Sequence, residues 1–436
     1  MTTHQDAAGA RSAMPGRRLP RPLRRFLDTE AAGGVLLLVA AVAALVWANS
    51  PWSGSYRALW ETEFTLRLGQ WGLTHDLRHW VNDGLMTLFF LVVGLEIKRE
   101  VVCGDLREPR TAAVPVFAAV GGMAVPAILY AVVNGSGPGS PGWGIPMATD
   151  IAFAVGVLAV LGRRVPASLK LFLLTLAIVD DIGAIVVIAV FYAGGVEPAY
   201  LAAAAVLLAA VLGLRRAGVV WVTPYVVLGV AVWLVTQASG VHATIAGVVL
   251  GLLAPARPLT AAAVARQWAG DLSDDPGPGE LAAMTRLAAT SVSPAERIEH
   301  LLHPWTSFFV VPVFALANAG VAVRSDSFDT TGATAVAVGV ALGLAVGKVV
   351  GVTGATWLAV RTGVGRLPEG ATWPMVAGVG TVAGIGFTVS LFVAELAFDP
   401  GPLQDAAKIG VLGASALAAL AGALVLVRAG RGRSEG

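Results

Sequence analysis

Long apolar runs, separated by short polar stretches, recur from one end of the chain to the other. An α-helix that crosses the hydrocarbon core of a bilayer needs about 20 apolar residues, and twelve runs approach that length. We predict membrane helices at residues 31–49, 81–102, 111–133, 141–161, 167–193, 198–214, 218–236, 240–255, 304–323, 334–359, 371–398 and 404–428. The pattern therefore predicts an all-α polytopic membrane protein.

Composition supports this fold class and leaves no room for a large soluble domain. Hydrophobic residues form 56% of the chain and charged residues 13%, about half the roughly 25% that is usual in soluble domains. We predict a basic tail at 1–30, a transmembrane domain at 31–428 with a long loop at 256–303, and a tail at 429–436. Within residues 52–80, ETEFTLRLGQ alternates polar and apolar positions, which predicts a short strand or hairpin.

Positive charges fall in alternate loops, which predicts the orientation of the chain. Loops that contain Arg107, Arg164 and Arg215 are basic, as are both tails and the 256–303 loop. The intervening loops NGSGPGSPGWG, GGVEP and TQASG contain no Lys or Arg. Cytoplasmic loops of membrane proteins carry the excess of Lys and Arg, so both termini are predicted to be cytoplasmic and residues 52–80 to lie outside.

Two adjacent aspartates interrupt the apolar run TLAIVDDIGAIVVI at residues 175–188. Asp180 and Asp181 lie near the middle of a predicted membrane helix, where an ionised Asp costs about 2.5–3.5 kcal/mol. Two ionised acids close together also repel each other, so the pair is expected to hold a proton and release it when a cation arrives. That behaviour is proton–cation exchange. The alternative is that the acids stay protonated, or bond to a Ser or Thr across the bundle.

A third acid follows a stretch that is rich in Gly and Pro. In GIPMATDIAFAVGVLAVLG, Thr149 and Asp150 precede a clean apolar run that reads as a half-helix over 151–161. Asp is a preferred N-cap, and a helix that begins inside the membrane presents N–H groups and a positive dipole end that a carboxylate can compensate. The alternative is an ordinary helix cap near the membrane surface.

One of the four lysines in the chain lies in the middle of a predicted span. The chain contains 26 arginines and 4 lysines, so Lys348 at this depth is an unusual choice. A buried Lys can lose its proton, whereas Arg stays charged in proteins. Lys348 could therefore form an ion pair with a buried Asp or exchange a proton with it. The alternatives are a lysine that extends towards the membrane surface and one that only supports the fold.

Glycines in span 371–398 predict a second interrupted helix. Gly378, Gly380, Gly384 and Gly386 weaken this helix or allow close packing. Spans three to five and spans ten to twelve each contain a break in their second member, and the two groups have opposite orientations. Interrupted segments at matching positions of inverted units indicate a transporter site.

Six blocks of sequence carry a family resemblance. They are FFLVVGLEIKRE (89–100), ATDIAFAVGVLAVLG (148–162), VPASLKLFLLTLAIVDDIGAIVVIAVFY (165–192), SGVHATIAGV (239–248), RIEHLLHPW (297–305) and GIGFTVSLFVAELAF (384–398). The chain resembles a bacterial NhaA-family sodium/proton antiporter from about residue 30 to 425. The resemblance implies inverted repeats with two interrupted helices, which is not independent of the preceding argument. It also implies electrogenic, pH-regulated exchange of cytoplasmic Na⁺ or Li⁺ for external protons across the inner membrane.

The resemblance further implies roles for single residues. Asp180 and Asp181 match the acids that bind the cation and the protons, Thr149 and Asp150 match the crossing of the broken helices, and Lys348 matches a lysine that pairs with Asp180. A cluster associated with pH activation matches Glu96, Lys98, Arg99, Glu100, Glu299, His300 and His303; the alternative for this cluster is an interfacial cap. His242 and Asp83 also have counterparts, with structural or regulatory roles. The 52–80 segment resembles a hairpin through which members dimerise.

The chain departs from the family pattern in two segments, and other functions can be weighed against its motifs. The 256–303 loop and the N-terminal tail are longer than is usual in the family. An intramembrane aspartyl protease would need a GxGD motif, where this chain has VDDIG, and a cation channel would not need a titrating lysine. A different cation/proton exchanger or symporter is the serious alternative. No enzymatic activity, cofactor or nucleic-acid partner is predicted; the partners are Na⁺, Li⁺, H⁺, the bilayer and a second copy of the chain.

Overall fold

The computed structural model describes residues 21–68, 71–217, 222–257, 292–323 and 329–431, together with three single positions. Sixteen helices within these ranges are labelled here. They are α1 (Arg21–Ala48), α2 (Ser53–Trp60), α3 (Met86–Cys103), α4 (Pro109–Asn134), α5 (Ile151–Leu161), α6 (Ala167–Phe191), α7 (Pro198–Arg216), α8 (Val222–Ala238), α9 (Thr244–Leu253), α10 (Pro294–Trp305), α11 (Val311–Asn318), α12 (Ala333–Leu342), α13 (Lys348–Arg361), α14 (Trp373–Val382), α15 (Phe387–Ala397) and α16 (Pro402–Arg431).

Several short helical turns extend or connect these helices. The α-helical turn Leu77–His79 and the π-helical turn Trp80–Leu85 precede α3, and the 3₁₀ turns are Asp105–Arg107, Ser140–Met147 and Gly162–Arg164. Two more π-helical turns, Thr306–Val310 and Gly343–Gly347, join α10 to α11 and α12 to α13. Both connected pairs therefore continue as single long segments.

The predicted all-α membrane class is confirmed. Seven helical segments of the described chain are long and apolar enough to cross a bilayer, or up to nine when each of two bent pairs is counted as one span. All twelve predicted segments contain a helix, but three of these helices fall outside that count. The helix α3 carries four charged residues near its end, α8 has 17 residues, and α9 has only 10. Ten residues rise about 15 Å, half the hydrocarbon thickness.

The predicted hairpin is also confirmed. Strand β1 (Glu63–Leu68) pairs antiparallel with β2 (Trp71–Asp76), with Glu63 opposite Asp76. A cavity beside it is lined by Tyr56, Arg78, Gly320 and Pro402, so the connections after α1, after α11 and before α16 lie at the same end of the bundle. This end is called the hairpin end. The other end, where α3 terminates and α10 begins, is called the Glu96 end.

Both predicted helix interruptions are present, and they contact each other. Residues 148–150 separate the turn Ser140–Met147 from α5, and residues 383–386 separate α14 from α15, with a bend of 47°. The Asp150 N–H donates to the Ile385 carbonyl at 2.7 Å, and the Ser390 hydroxyl donates to the Ile145 carbonyl at 2.7 Å. Each interruption therefore satisfies backbone groups that the other leaves without a helical partner.

Most helix boundaries differ from the prediction by a few residues, and three helix ends extend into segments that were predicted as tail or loop. The helix α1 already begins at Arg21 within the predicted tail, whose first 20 residues lie outside the described range. In the predicted 256–303 loop, α10 begins at Pro294, where Ser293 caps it by accepting from the Glu296 N–H at 3.2 Å. At the other terminus α16 continues to Arg431. Hydropathy does not detect these ends, because a helix can continue through polar residues beyond the end of its apolar run.

Candidate ion-binding site

One carboxylate caps both broken helices at their crossing. Asp150 is the N-cap of α5, and its Oδ1 accepts from the Phe153 N–H at 2.9 Å. Its Oδ2 accepts from the Thr388 hydroxyl at 2.6 Å and from the Thr388 N–H, in the first turn of α15, at 3.1 Å. Helix N-termini attract negative charge, and here two of them share one acid. Asp150 is 2% exposed, so its charge is enclosed by the two helix ends and not by solvent.

The neighbouring Thr149 connects the crossing to the paired aspartates. Its Oγ1 lies 2.6 Å from Asp180 Oδ2 and 2.8 Å from the Ala383 carbonyl oxygen. A hydroxyl carries one hydrogen and two acceptor lone pairs, so Thr149 can donate to only one of these oxygens at a time. When Asp180 holds a proton, that proton can be donated to Thr149 while the hydroxyl donates to Ala383. The arrangement therefore accommodates both protonation states of Asp180.

Lys348 forms an ion pair with Asp180 in the interior of the bundle. The Lys348 ammonium contacts Asp180 Oδ2, and both side chains are fully buried. Lys348 directly follows the π-helical turn Gly343–Gly347. Its helix α13 can approach α4 closely because Gly351 has no side chain: a Cβ there would lie 2.1 Å from the Gly121 carbonyl oxygen. Such contacts between backbones are typical of membrane helices, and here they bring the ammonium group to the acids.

Asp181 differs from Asp180 in both its partners and its access to space. Asp181 lines a cavity of about 60 Å³, together with Thr149, Asp150 and residues of the Glu96 end. Among the described residues, Oδ1 of Asp181 and Oδ1 of Asp180 both lack a hydrogen-bond partner. Buried polar atoms are nearly always hydrogen-bonded, so each acid keeps one acceptor that a bound cation can use, and only Asp181 lines the cavity.

The seven residues of the predicted pH cluster are divided by the structure. Glu96 and His303 line the cavity that reaches Asp181. Arg99 of α3 forms an ion pair with the buried Glu299 of α10. On the same two helices, Lys98 and Glu100 are half-buried and His300 is exposed. The cluster therefore combines two cavity-lining side chains with an ion pair that joins the two helices.

Comparisons with known proteins agree with this geometry. Residues 24–426 match the family model described as Na⁺/H⁺ antiporter 1. The chain belongs to this family. The Na⁺/H⁺ antiporter NhaA 3 of Frankia alni is 49% identical over 94% of this chain and 90% of its own length. The NhaA antiporter of Oleidesulfovibrio alaskensis is 45% identical over 99% and 98%, and that of Rhodopirellula baltica is 46% identical over 92% of each chain.

Family membership makes this chain a bacterial multi-pass membrane protein of the sodium/proton antiporter type. The family resemblance predicted from six sequence blocks is thereby confirmed. Relatives match almost the whole chain, including the segments that contain both helix interruptions. The family match does not by itself assign roles to individual residues.

Two other predicted residues lie away from the crossing, at the hairpin end. The ring of His242 is 2.6 Å from the Tyr192 carbonyl oxygen through its Nε2. The Asp83 carboxylate lies 3.1 Å from His79 Nε2. Its backbone carbonyl accepts from the Trp233 indole at 3.2 Å. These contacts join the turn before α3, helix α8 and the C-terminal end of α6. Neither the His242 nor the Asp83 side chain lines the cavity that reaches Asp181.

The sequence analysis missed three hydroxyl residues around the site. Thr388 binds Asp150, and Thr306 and Ser307 line the same cavity as Asp181. Thr388 directly follows the glycine-rich break, so its position after that break was a usable signal. Thr306 and Ser307 gave no signal, because Thr and Ser are ordinary residues in membrane helices and the cavity exists only where α1, α3, α5, α6, α15 and the Thr306–Val310 turn pack together.

Proposed function

We propose that this chain is a secondary transporter, not an enzyme, that exchanges cytoplasmic Na⁺ or Li⁺ for external protons at Asp180 and Asp181. Asp181 would be the entry ligand for the cation, because it lies at the cavity and keeps an oxygen without a partner. Asp180 would be the coupled group, because its ionised form pairs with Lys348. The juxtaposition of a cavity-lining acid with a buried acid–lysine pair is the observation that carries the proposal.

The exchange follows from the charges that the site can hold. A small hard cation favours oxygen ligands, which the two carboxylates supply. In the proton-loaded state, one proton would reside on Asp181 and one on Lys348, whose ammonium pairs with the Asp180 carboxylate. Na⁺ bound between the two carboxylates would displace both protons to the cytoplasm. Exit of Na⁺ on the other side would let Asp181 and Lys348 each take up one external proton, which restores the Asp180–Lys348 pair. Cation and proton thus compete for the same oxygens, so neither crosses without the other.

The proposed cycle moves net charge. Two protons carried in for each Na⁺ carried out transfer one positive charge per cycle, which couples to the membrane potential at about 2.3 kcal/mol per 100 mV. A negative interior would therefore drive sodium out of the cell. The two broken helices can take part in alternating access, because their ends are held by Asp150 and Thr149 through hydrogen bonds that can rearrange without unfolding a whole helix.

Orientation, regulation and assembly complete the proposal. The excess of Lys and Arg in alternate loops supports a cytoplasmic position for the Glu96 end and both termini. The cavity would then admit the cation from inside, past Glu96 and His303. Histidine titrates near neutral pH, so His303 and the Arg99–Glu299 pair could control access to the cavity as cytoplasmic pH changes. The hairpin over residues 63–76 is the proposed contact between two copies in a dimer.

The test is proton release measured in everted vesicles. Addition of Na⁺ or Li⁺ to vesicles that contain the wild-type chain should release protons from the acidified lumen, whereas K⁺ should not. The double variant Asp180→Asn with Asp181→Asn should give no response above that of vesicles without the protein. Asp399→Asn is the matched control, because it removes one carboxylate charge at an exposed position of the hairpin end.

Each outcome has a clear meaning. Exchange by the double Asn variant, at wild-type abundance in the membrane, would remove the paired aspartates from the mechanism. A full response of the wild type to K⁺ would instead identify a less selective cation/proton exchanger. Loss of exchange in Asp399→Asn would show that the protein does not tolerate the loss of a carboxylate even at a distant exposed position. The loss of exchange in the double variant could then not be assigned to the paired aspartates.

A further inference from the structure

A pair of hydroxyl residues lines the cavity that leads to Asp181. Thr306 and Ser307 are adjacent in sequence and nearly buried, with 4% and 8% of their surface exposed. Both line the cavity that Glu96, His303 and Asp181 also line. No acid or base of the proposed mechanism requires them. Two adjacent hydroxyl side chains in the same cavity as Glu96, His303 and Asp181 suggest a role in handling the cation.

The local backbone explains why two successive residues reach the same cavity. Thr306 and Ser307 begin the π-helical turn Thr306–Val310, which follows α10. Single π-helical turns inside α-helices are rare and are frequently found at functional sites. The wall here is also tight: a Cβ at Gly33, which lines the same cavity, would lie 3.1 Å from the Ser307 Cβ and 3.2 Å from its carbonyl oxygen. The turn of α10 therefore packs directly against α1 at this point.

The hydrogen bonding of Thr306 orients its oxygen as a cation ligand. Its hydroxyl donates to the His303 carbonyl at 2.9 Å. A hydroxyl oxygen keeps two acceptor lone pairs after its hydrogen is committed, so the negative end of the group remains available to the cavity. Buried Thr residues often bond back to their own helix for structural reasons alone, as Thr356 does to Val352 at 2.7 Å. The difference is that Thr356 is fully buried and does not line this cavity.

We propose that Thr306 and Ser307 form a second cation site on the path between the Glu96 end and Asp181. A Na⁺ or Li⁺ ion would exchange part of its water shell there for hydroxyl oxygens before it reaches the carboxylates. Hard cations take such oxygen ligands, and neutral ligands bind a passing ion weakly enough to release it. This inference rests on the proposed function, because it takes the cavity to be the route of the cation.

Kinetics of the full-length chain in everted vesicles test the proposal. Thr306→Val and Ser307→Ala each remove one hydroxyl and should raise the apparent KM for Na⁺ about fivefold, which corresponds to the loss of roughly 1 kcal/mol per contact. Their maximal rates should stay close to that of the wild type, since the carboxylates are intact. Thr306→Ser keeps the hydroxyl and should keep the wild-type KM. The same series with Li⁺ should show a different fold-change, because Li⁺ is smaller and holds its ligands closer.

Matched variants separate this idea from structural effects and from the proposed function. Thr356→Val removes a buried hydroxyl of the same local type and should leave the KM unchanged. An unchanged KM in Thr306→Val and Ser307→Ala would overturn the second site, as would an equal increase in Thr306→Ser or in Thr356→Val. Asp181→Asn distinguishes the two proposals: if it retains exchange while Thr306→Val raises the KM, the carboxylate assignment fails and the hydroxyl site stands.

Discussion

Two buried lysine–carboxylate pairs can be compared within this one molecule. Lys348 pairs with Asp180 beside the crossing of the broken helices, and Lys408 of α16 pairs with Glu395 of α15 near the hairpin end. Both lysines are almost completely buried. An ionisable residue inside a membrane protein is usually read as functional, and that rule would assign the two pairs the same importance.

The surroundings of the two pairs are nevertheless different. Beside the Asp180–Lys348 pair lies a second acid, Asp181, which lines the cavity of about 60 Å³, here called the access cavity. Glu395 receives Lys408 on one oxygen and the Gln404 amide, at 3.3 Å, on the other. Neither member of that pair lines the access cavity. The two pairs thus share burial and differ in the acid that lines the cavity beside one of them, and we expect that acid, not burial of the pair, to mark the functional site.

The largest expected effect comes from neutralising each pair as a unit. Asp180→Asn with Lys348→Met should reduce Na⁺-dependent proton release to that of vesicles without the protein. Glu395→Gln with Lys408→Met should keep the rate within about twofold, because replacing both members of a buried pair is often neutral for stability whereas removing one strands a charge. The comparison fails if both double variants keep exchange, or if both lose it while present in the membrane at wild-type levels.

An intermediate effect is expected at the crossing itself. Thr388→Val removes a hydrogen bond to the Asp150 carboxylate, and bonds to charged groups contribute about 1.5–3 kcal/mol, against about 1 kcal/mol for a neutral one. Thr356→Val, which removes only the neutral bond to Val352, is the matched control. The melting temperature in detergent should therefore fall further for Thr388→Val than for Thr356→Val. Equal decreases would mean that Asp150 does not depend on this hydroxyl.

The smallest effect is expected at an ion pair of the hairpin end that is partly exposed. A hydrogen bond with Asp83 raises the pKa of His79, while burial opposes the shift. Because the folded-state pKa exceeds the ordinary value of about 6.5, the stability contributed by protonated His79 is complete below pH 6.5 and is lost as the pH rises through the raised pKa.

The variant His79→Gln tests this prediction. Its melting temperature should lie below that of the wild type under mildly acidic conditions, and the difference should shrink as the pH rises. Burial and the neighbouring His79 lower the pKa of His75, whose ring stacks on His79 at 4.0 Å. His75→Gln is therefore the control, and it should not reproduce this loss under acidic conditions. A difference that grows with pH in His79→Gln would contradict the assignment.

Much of the fold was predictable because the bilayer imposes simple rules on the sequence. A run of apolar residues long enough to cross the membrane must be a helix, and the dense glycines before Phe387 together with the Gly/Pro-rich stretch before Asp150 indicated both interruptions. The boundaries were less accurate. The helix α10 begins ten residues before its predicted start at 304, since an amphipathic first turn with a Ser293 cap carries no hydropathy signal.

Single chemical groups were predictable for the same reason, but their arrangement was not. An acid or a lysine in an apolar run, such as Asp180, Asp181 or Lys348, is costly and so is visible in the sequence alone. The sequence could not place Thr388 on Asp150, or separate Glu96 and His303 on the cavity from Arg99 and Glu299 in an ion pair. Those outcomes depend on contacts between residues that are far apart in the chain.

The sequence by itself determined that this chain is a bundle of membrane helices. It also determined which side chains are energetically unfavourable inside the membrane, because both conclusions follow from the free-energy cost of polar groups in hydrocarbon. Only the tertiary structure decided what those residues do to one another. It aligned two helix interruptions so that one carboxylate caps both, used close glycine contacts to bring Lys348 to Asp180, and placed Asp181 in the wall of a cavity. These are matters of packing between distant segments, for which the order of residues carries no direct signal.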